Sequence, residues 1–291
     1  MQQNPRPLLA LSPCSQARNA AHCPAQVSDA AIEPLDQTDA AARKPELEVI
    51  WARHLDEVRA AQRLRYSIFA DEMGARLETP IAAHDVDRFD DYCEHLLVRD
   101  VSDSAHFGQV VGTYRLLTPT QAQRAGGLYT ETEFNLSALD CLRPTMMEIG
   151  RSCVHADYRS GAVIMALWTA MGQFMQANQL SSLVGCASIP MLNQGGGING
   201  DVAASIWRKV SQSYLADSAW QVQAHTPLPV DLLDDHLDVE PPALIKGYLR
   251  MGAKVLGAPA WDPDFNTADL PMLIRLEDMP GRYRKHFLGV S

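Results

Sequence analysis

Glu148 and Arg151 stand three residues apart in 146–154, a run of strand-forming residues that passes through a polar turn into a long apolar helix expected over 162–177. A charged pair on an otherwise apolar strand, just before a strand-to-helix junction, is costly unless the two charges are well paired or put to use. Simple structural pairing is the plain alternative. Positions 148 and 151 have opposite parity, so in a regular strand they face opposite sides of the sheet. A β-bulge would turn both into one site, bulges cluster near active sites, and Gly150 between the two would ease the distortion.

Other residue groupings offer less. Cys153 is two residues beyond Arg151, but no histidine is placed to activate it, and a cysteine on a buried strand is most often a small apolar filler. His155, Asp157, Asp262 and Asp264 do not group with a third ligand at a metal-binding spacing, so no metal is expected. His95-Leu-Leu-Val-Arg-Asp100 has the spacing of the glycerolipid O-acyltransferase motif, yet its spacer is a strand pattern and no matching phosphate-binding segment follows. Asn193-Gln-Gly-Gly-Gly-Ile-Asn-Gly200 lacks the Lys-Ser/Thr ending of a P-loop and reads as an exposed turn.

The elements that must position Glu148 follow from periodicity. A strand is expected over 47–51 and a helix over 54–73, with Leu55, Val58, Ala61, Leu64, Ile68 and Phe69 on one stripe and Arg59, Arg63 and Arg65 on its other faces. An acidic irregular stretch, 81–95, holds Asp85, Asp87, Asp90, Asp91 and Glu94. A hairpin of strands 95–101 and 107–117 comes next, then a loop with a short helix over 128–142, anchored by Tyr129 and Phe134. After the 162–177 helix come a strand over 180–189, a capped amphipathic helix over 201–215 and a short helix from Pro241-Pro242 to Arg250. Strands at 253–257 and 270–277 and a basic helix at 280–286 close the chain. Hairpins interspersed among irregularly alternating strands and helices imply a mixed sheet flanked by helices in one α/β domain over 46–291. Residues 1–45, rich in Ala, Gln, Pro and Ser without a hydrophobic period, are expected to be a disordered tail.

Composition narrows the function class. A formal net charge of −10 over 291 residues argues against nucleic acid, whose backbone calls for a basic footprint. No apolar run approaches the roughly 20 residues that span a bilayer. The six cysteines (Cys14, Cys23, Cys93, Cys141, Cys153 and Cys186) contain no C-x-x-C pair, which points to a reducing, cytoplasmic setting.

A set of motifs in fixed order carries a resemblance. Arg63-Leu-Arg-Tyr-Ser-Ile-Phe69, Phe89-Asp-Asp-Tyr-Cys-Glu-His-Leu-Leu-Val98, Val111-Gly-Thr-Tyr-Arg-Leu-Leu117, Glu148-Ile-Gly-Arg-Ser-Cys-Val-His155, Gly185-Cys-Ala-Ser188, Gly247-Tyr-Leu-Arg-Met-Gly252 and Asp264-Phe-Asn-Thr-Ala-Asp269 resemble the bacterial ornithine-lipid N-acyltransferases. The resemblance covers most of 47–288. It implies a GNAT-type acyltransferase fold with a mixed, mostly antiparallel sheet, similar to the acyl-homoserine lactone synthases. The implied reaction moves a 3-hydroxyacyl chain from acyl carrier protein to the α-amine of L-ornithine, giving lyso-ornithine lipid. The functional positions it implies are Asp87, Asp90, Arg115, Glu148 and Arg151.

Roles then follow from that substrate. An α-amine with a pKa of about 8 must lose a proton before it attacks a thioester, and Glu148 is the expected base. Arg115 or Arg151 would hold the substrate carboxylate, and Asp87 or Asp90 the distal ammonium. Backbone N–H groups near Arg151, Ser152 and Cys153 would stabilise the oxyanion. The turn Arg159-Ser-Gly161 lacks the glycine spacing that cradles a CoA pyrophosphate, which suits a donor carried on acyl carrier protein. No cofactor is expected to stay bound; 4′-phosphopantetheine would arrive as part of the donor. Docking of the acidic carrier needs a local basic patch, for which Arg63, Arg65, Arg282, Arg284 and Lys285 are candidates. The amphiphilic product implies peripheral contact with the inner membrane. Two other readings stay open: a different acceptor on the same fold, such as another amino acid or a homoserine-lactone precursor, and a non-catalytic acyl- or carrier-binding module.

Overall fold

Period-two apolar patterning and period-3.6 stripes segregate into one eight-stranded sheet with helices packed against it. The computed structural model describes residues 45–102, 107–192 and 197–288, apart from the side chain of Leu288. The tail expected over 1–45 falls, but for Pro45, outside the described residues, as do 193–196 of the glycine-rich turn.

In chain order the sheet and its helices are β1 (Leu47–Trp51), α1 (Leu55–Tyr66), β2 (Glu94–Asp100), β3 (Gln109–Leu117), α2 (Pro119–Ala125), β4 (Phe134–Asn135), β5 (Met146–Val154), α3 (Ala162–Ala177) and β6 (Ser182–Pro190). They continue with α4 (Asp201–Tyr214), β7 (Gln223–Ala224), α5 (Ala243–Arg250), β8 (Lys254–Val255), β9 (Ala260–Asp262), β10 (Thr267–Arg275) and α6 (Gly281–Leu288). The sheet runs β1-β2-β3-β5-β6-β10-β8, with β9 against β10, and β4 pairs separately with β7. Every pairing is antiparallel except β5 with β6. This is the mixed, mostly antiparallel sheet that the family resemblance implies.

The long expected elements are present. The helix expected over 54–73 is α1 extended by a π-helical turn, Ser67–Glu72, that puts Ile68 and Phe69 into the core. Shorter pieces differ: 128–142 forms two 3-10 turns and β4 rather than one short helix, and β9 and β7 carry too few residues for a periodic signal. The helix α2 was not expected from the sequence, although Thr118 and Gln121, which form a reciprocal capping box with Pro119 at the first helical position, carried its signal.

The core has two faces. On one, Val163, Leu167, Met171 and Met175 of α3 recur at helical spacing and pack on alternate residues of the sheet, among them Leu96, Leu116, Met147 and Leu270. On the other lie α1 and the 128–146 segment, the latter over Leu117, Val184 and Leu273. β5 and β6 are central, so a defect between them opens toward both faces.

Candidate active site

Thr113 pairs with Cys153 and Arg115 with Gly150, so Arg151 and Ser152 together oppose the single residue Tyr114. This is the bulge that the parity of 148 and 151 requires. Arg151 adopts φ +49°, a left-handed conformation that costs a non-glycine residue energy and is found at functional sites when the surroundings enforce it. The bulge turns Arg151 to the side of Glu148, and both meet Tyr129. Glu148 accepts from Tyr129 N (2.8 Å), Thr130 N (2.6 Å) and Thr130 Oγ1 (2.6 Å). The Arg151 guanidinium lies over the Tyr129 and Phe265 rings, 4.7 and 4.6 Å from their centroids. Glu148 is 5 % exposed; burial raises its pKa, and the three hydrogen bonds pull the other way without cancelling it.

Next to Glu148 is a buried lattice of alternating charge. Arg65 donates from Nε to Asp85 Oδ2 (2.7 Å) and from Nη1 to Asp90 Oδ1 (2.8 Å). Arg115 Nη1 reaches Asp87 Oδ1 (2.5 Å) and Asp90 Oδ1 (3.1 Å). Arg151 Nη2 donates to Asp87 Oδ2 (3.1 Å), and its Nε lies 3.2 Å from Asp85 Oδ2. Burial works to raise both Asp87 and Asp90, but the guanidiniums outweigh it: Arg115 and Arg151 lower Asp87, and Arg65 and Arg115 hold Asp90 far below the usual range. Both aspartates, expected to be open to a substrate ammonium, are paired with arginines here, Asp87 with Arg115 and Arg151 and Asp90 with Arg65 and Arg115. Arg65, 1 % exposed, is a buried partner of this lattice and not a docking residue.

β5 and β6 pair only through Met146, Met147 and Glu148 opposite Ser182, Leu183 and Val184, and then diverge although each strand runs on. Gly185 permits the close approach at the point of divergence, where a Cβ would lie 2.4 Å from the Ile149 carbonyl oxygen. Beyond it the edge of β5 that faces β6 has no strand partner among the described residues, and a 460 Å³ cavity fills the split. Its walls differ by face. Tyr114, Ile149, Leu183, Tyr248, Met272 and Ile274 give one apolar side, with the Tyr114 and Tyr248 hydroxyls in contact and Trp168 Nε1 donating to Tyr114 Oη at 3.3 Å. Tyr129, Glu148, Arg151, Cys186 and Asp269 give a charged side.

Sequence comparison places this geometry in a family. A GNAT acetyltransferase domain matches residues 64–169. The L-ornithine N(alpha)-acyltransferase of Agrobacterium fabrum is 34% identical over 257 residues, which covers 84% of this chain and 85% of that one. The protein of the same name from Brucella abortus is 33% identical over 259 residues, or 83% and 88% of the two chains. The chain belongs to the L-ornithine N(alpha)-acyltransferase family. Its fold is the GNAT acyltransferase fold. Among solved structures, FeeM, an N-acyl amino acid synthase from uncultured soil microbes, superposes with a TM-score of 0.49 at 11% identity, over 81% of this chain and 93% of that one.

The remaining expected site residues of this family member are spread around the cavity. Ser152, Cys153 and Arg159 line it, whereas Gly161, at φ +99°, opens α3 and stands outside the lining. Arg159 is exposed and holds Glu72 through both terminal nitrogens (2.6 and 2.7 Å), its Nε donating to the Val154 carbonyl. Cys153 is 6 % exposed, packed in the core beneath α1, and burial pushes its thiol up to about 12. It therefore holds almost no thiolate at pH 8. Cys153→Ala is expected to keep turnover within about threefold of wild type, the cost of a small filler; loss of activity in a steady-state assay would restore a covalent acyl-enzyme. Arg63, Arg282, Arg284 and Lys285 are exposed on α1 and α6, and Arg63 Nη1 lies 3.3 Å from His84 Nε2.

Four participants were not singled out as site residues from sequence: Asp85, Thr130, Glu133 and Asp269. Asp269 carried a signal, as an acid in the otherwise apolar run Ala268 to Ile274 that reads like the setting of Glu148. Thr130 and Glu133 sit in a loop whose contacts are non-local. No helix among the described residues is long and apolar enough to cross a membrane.

Proposed function

We propose that this chain transfers a 3-hydroxyacyl group from acyl carrier protein to the α-amine of L-ornithine. The observation that carries the reading is the two-sided cavity at the split of β5 and β6. It offers an apolar wall to a fatty chain and, across the bulged strand, a carboxylate and a guanidinium to an amino acid. The relatives' name supplies the acceptor.

The donor arm, 4′-phosphopantetheine, enters beside Arg159 and runs along the edge of β5 beyond Glu148, where no described strand pairs with it. The acyl chain goes to the wall of Tyr114, Tyr248 and Met272. Both guanidiniums are anchored by aspartates, and Arg151, which the bulge turns to the side of Glu148 and which lies over the Tyr129 and Phe265 rings, takes the ornithine carboxylate. Glu148, whose Oε2 accepts a single hydrogen bond, removes the α-ammonium proton directly or through a water. The neutral amine attacks the thioester carbonyl, N–H groups of Arg151 to Cys153 hold the oxyanion, and collapse breaks the C–S bond, the departing pantetheine sulfur taking the proton that the new amide nitrogen gives up. The surface offered to the acidic carrier is either Arg63 on α1 or, on the opposite face of the sheet, Arg282, Arg284 and Lys285 on α6. The reaction is assigned to the cytoplasm, with product release at the inner membrane face.

The test is incubation of the purified chain with 3-hydroxyacyl carrier protein or 3-hydroxyacyl-CoA and a panel of amino acids, with products read by mass spectrometry. Amide product from carrier-bound donor and ornithine is expected. Product with a different acceptor alone would overturn the acceptor, product from CoA alone would overturn the donor, and no product would leave a binding module.

A further inference from the structure

Among the described residues, the buried carboxylate oxygens that meet no donor in hydrogen-bonding geometry are both oxygens of Glu133 and Oδ1 of Asp269. Asp269, on β10, is 4 % exposed and lines the charged side of the cavity. Ligand atoms of Glu133, Asp269 and Cys186 all lie within 4.8 Å of one another. Asp262 on β9, the register partner of Thr267 two residues from Asp269, also lines the cavity and adds a further negative charge. Buried carboxylates this close together with no cation are unfavourable: burial raises the pKa of both Glu133 and Asp269, Asp269 and Asp262 push Glu133 further up, and Asp262 does the same to Asp269.

The other buried acids at this site are satisfied: Asp85, Asp87 and Asp90 by arginines, Glu148 by the 129–130 segment. Among the described residues no cation stands against the Glu133–Asp269 pocket. Its position says what would bring one. Val184 is the register partner of Glu148, and Cys186 lies two residues further along the same face of β6, a rise of about 6.7 Å. That offset is the scale of a three-methylene stem between an α-amine at Glu148 and a second amine beside Cys186. The Cys186 thiol is held well above its ordinary pKa by burial and by Glu133, so it offers a protonated, poor metal ligand.

We propose that the Glu133–Asp269 pocket is the subsite for the side-chain ammonium of the acceptor, and that it selects a diamino acid over a neutral one of equal length. The assignment rests on the acceptor reading above and corrects the place first expected for that ammonium, Asp87 or Asp90.

The experiment compares L-ornithine with L-2-aminopentanoate, which lacks only the second amine, in wild type, Glu133→Gln and Asp269→Asn. The ratio of kcat/KM for the two acceptors is expected to fall by about 100-fold in each variant, the effect of removing one partner of a desolvated charge pair. Thermal unfolding adds a second readout that a merely structural role would not give. Unliganded Glu133→Gln at pH 8 is expected to melt a few degrees higher than wild type, because a repelled acid is gone, and ornithine is expected to raise the Tm of wild type only. Parallel loss with both acceptors, or a lowered Tm with the ratio unchanged, would overturn the proposal. So would calorimetry in which the wild type binds Zn²⁺ saturably and ornithine does not compete. A wild type that acylates neither acceptor would instead overturn the acceptor reading itself.

Discussion

Glu148→Gln is expected to lower kcat by about 100-fold or more while the carrier-bound donor still binds, the scale of losing a positioned general base. The side chain keeps its size, so the loss is of proton affinity and of acceptor capacity. Glu148 accepts from two N–H groups and one hydroxyl. A glutamine can offer its single oxygen to the Thr130 pair, which leaves its amide nitrogen facing the Tyr129 N–H, donor against donor. That mismatch costs about 1–3 kcal/mol and loosens the 129–133 segment. The pH profile separates the two effects. Burial raises the Glu148 pKa, so the wild-type rate falls as pH drops through a value above the ordinary carboxylate one. The residual rate of the variant is expected to lack that acid limb. Turnover near wild type, or an unchanged limb, would remove Glu148 as the base.

Asp90→Ala is expected to lower stability by about 3–5 kcal/mol, the cost of breaking a buried ion-pair lattice from one side. Asp90 accepts from Arg65 Nη1 (2.8 Å) and Nη2 (3.1 Å), Arg115 Nη1 (3.1 Å), Gln62 Nε2 (3.0 Å) and Asp87 N (3.1 Å). Its removal leaves Arg65, 1 % exposed, and Arg115, 4 % exposed, short of negative charge. At roughly 2–4 °C per kcal/mol for a domain of this size, the Tm should drop by about 10 °C. The pKa of Asp90 is depressed in the fold, so its stabilisation is fully present above the ordinary aspartate pKa of about 4 and fades as pH falls below it. The gap between wild type and variant in urea unfolding should therefore narrow from pH 7 to pH 3. A gap that stays constant would place the stabilisation elsewhere.

The two results test different things. Glu148 acts on the reaction, whereas Asp90 sets the frame in which Arg115 and Arg151 are held. If Asp90→Ala also slows turnover, the loss should appear mainly in KM for ornithine, since Arg151 is the guanidinium assigned to the carboxylate.

What the chain's own order determined was local. The period of 162–177 placed α3, alternation placed β2, β3 and β5, and the parity of Glu148 and Arg151 with Gly150 between them implied a bulge that the β3–β5 register contains. The ordered motifs pointed to the family. Tertiary structure alone decided which charges were already spent. Asp87, Asp90 and Arg65 look like free surface groups along the chain, yet packing buries Asp90 against Arg65 and draws the half-buried Asp87 onto Arg115. Glu133, Cys186 and Asp269 come from a loop, β6 and β10, far apart in sequence, and gather only because β6 pairs with β10 while β5 peels away. Periodicity records which side of an element avoids water. Whether a charge on that side is neutralised depends on what distant segments bring to it, and no local pattern carries that.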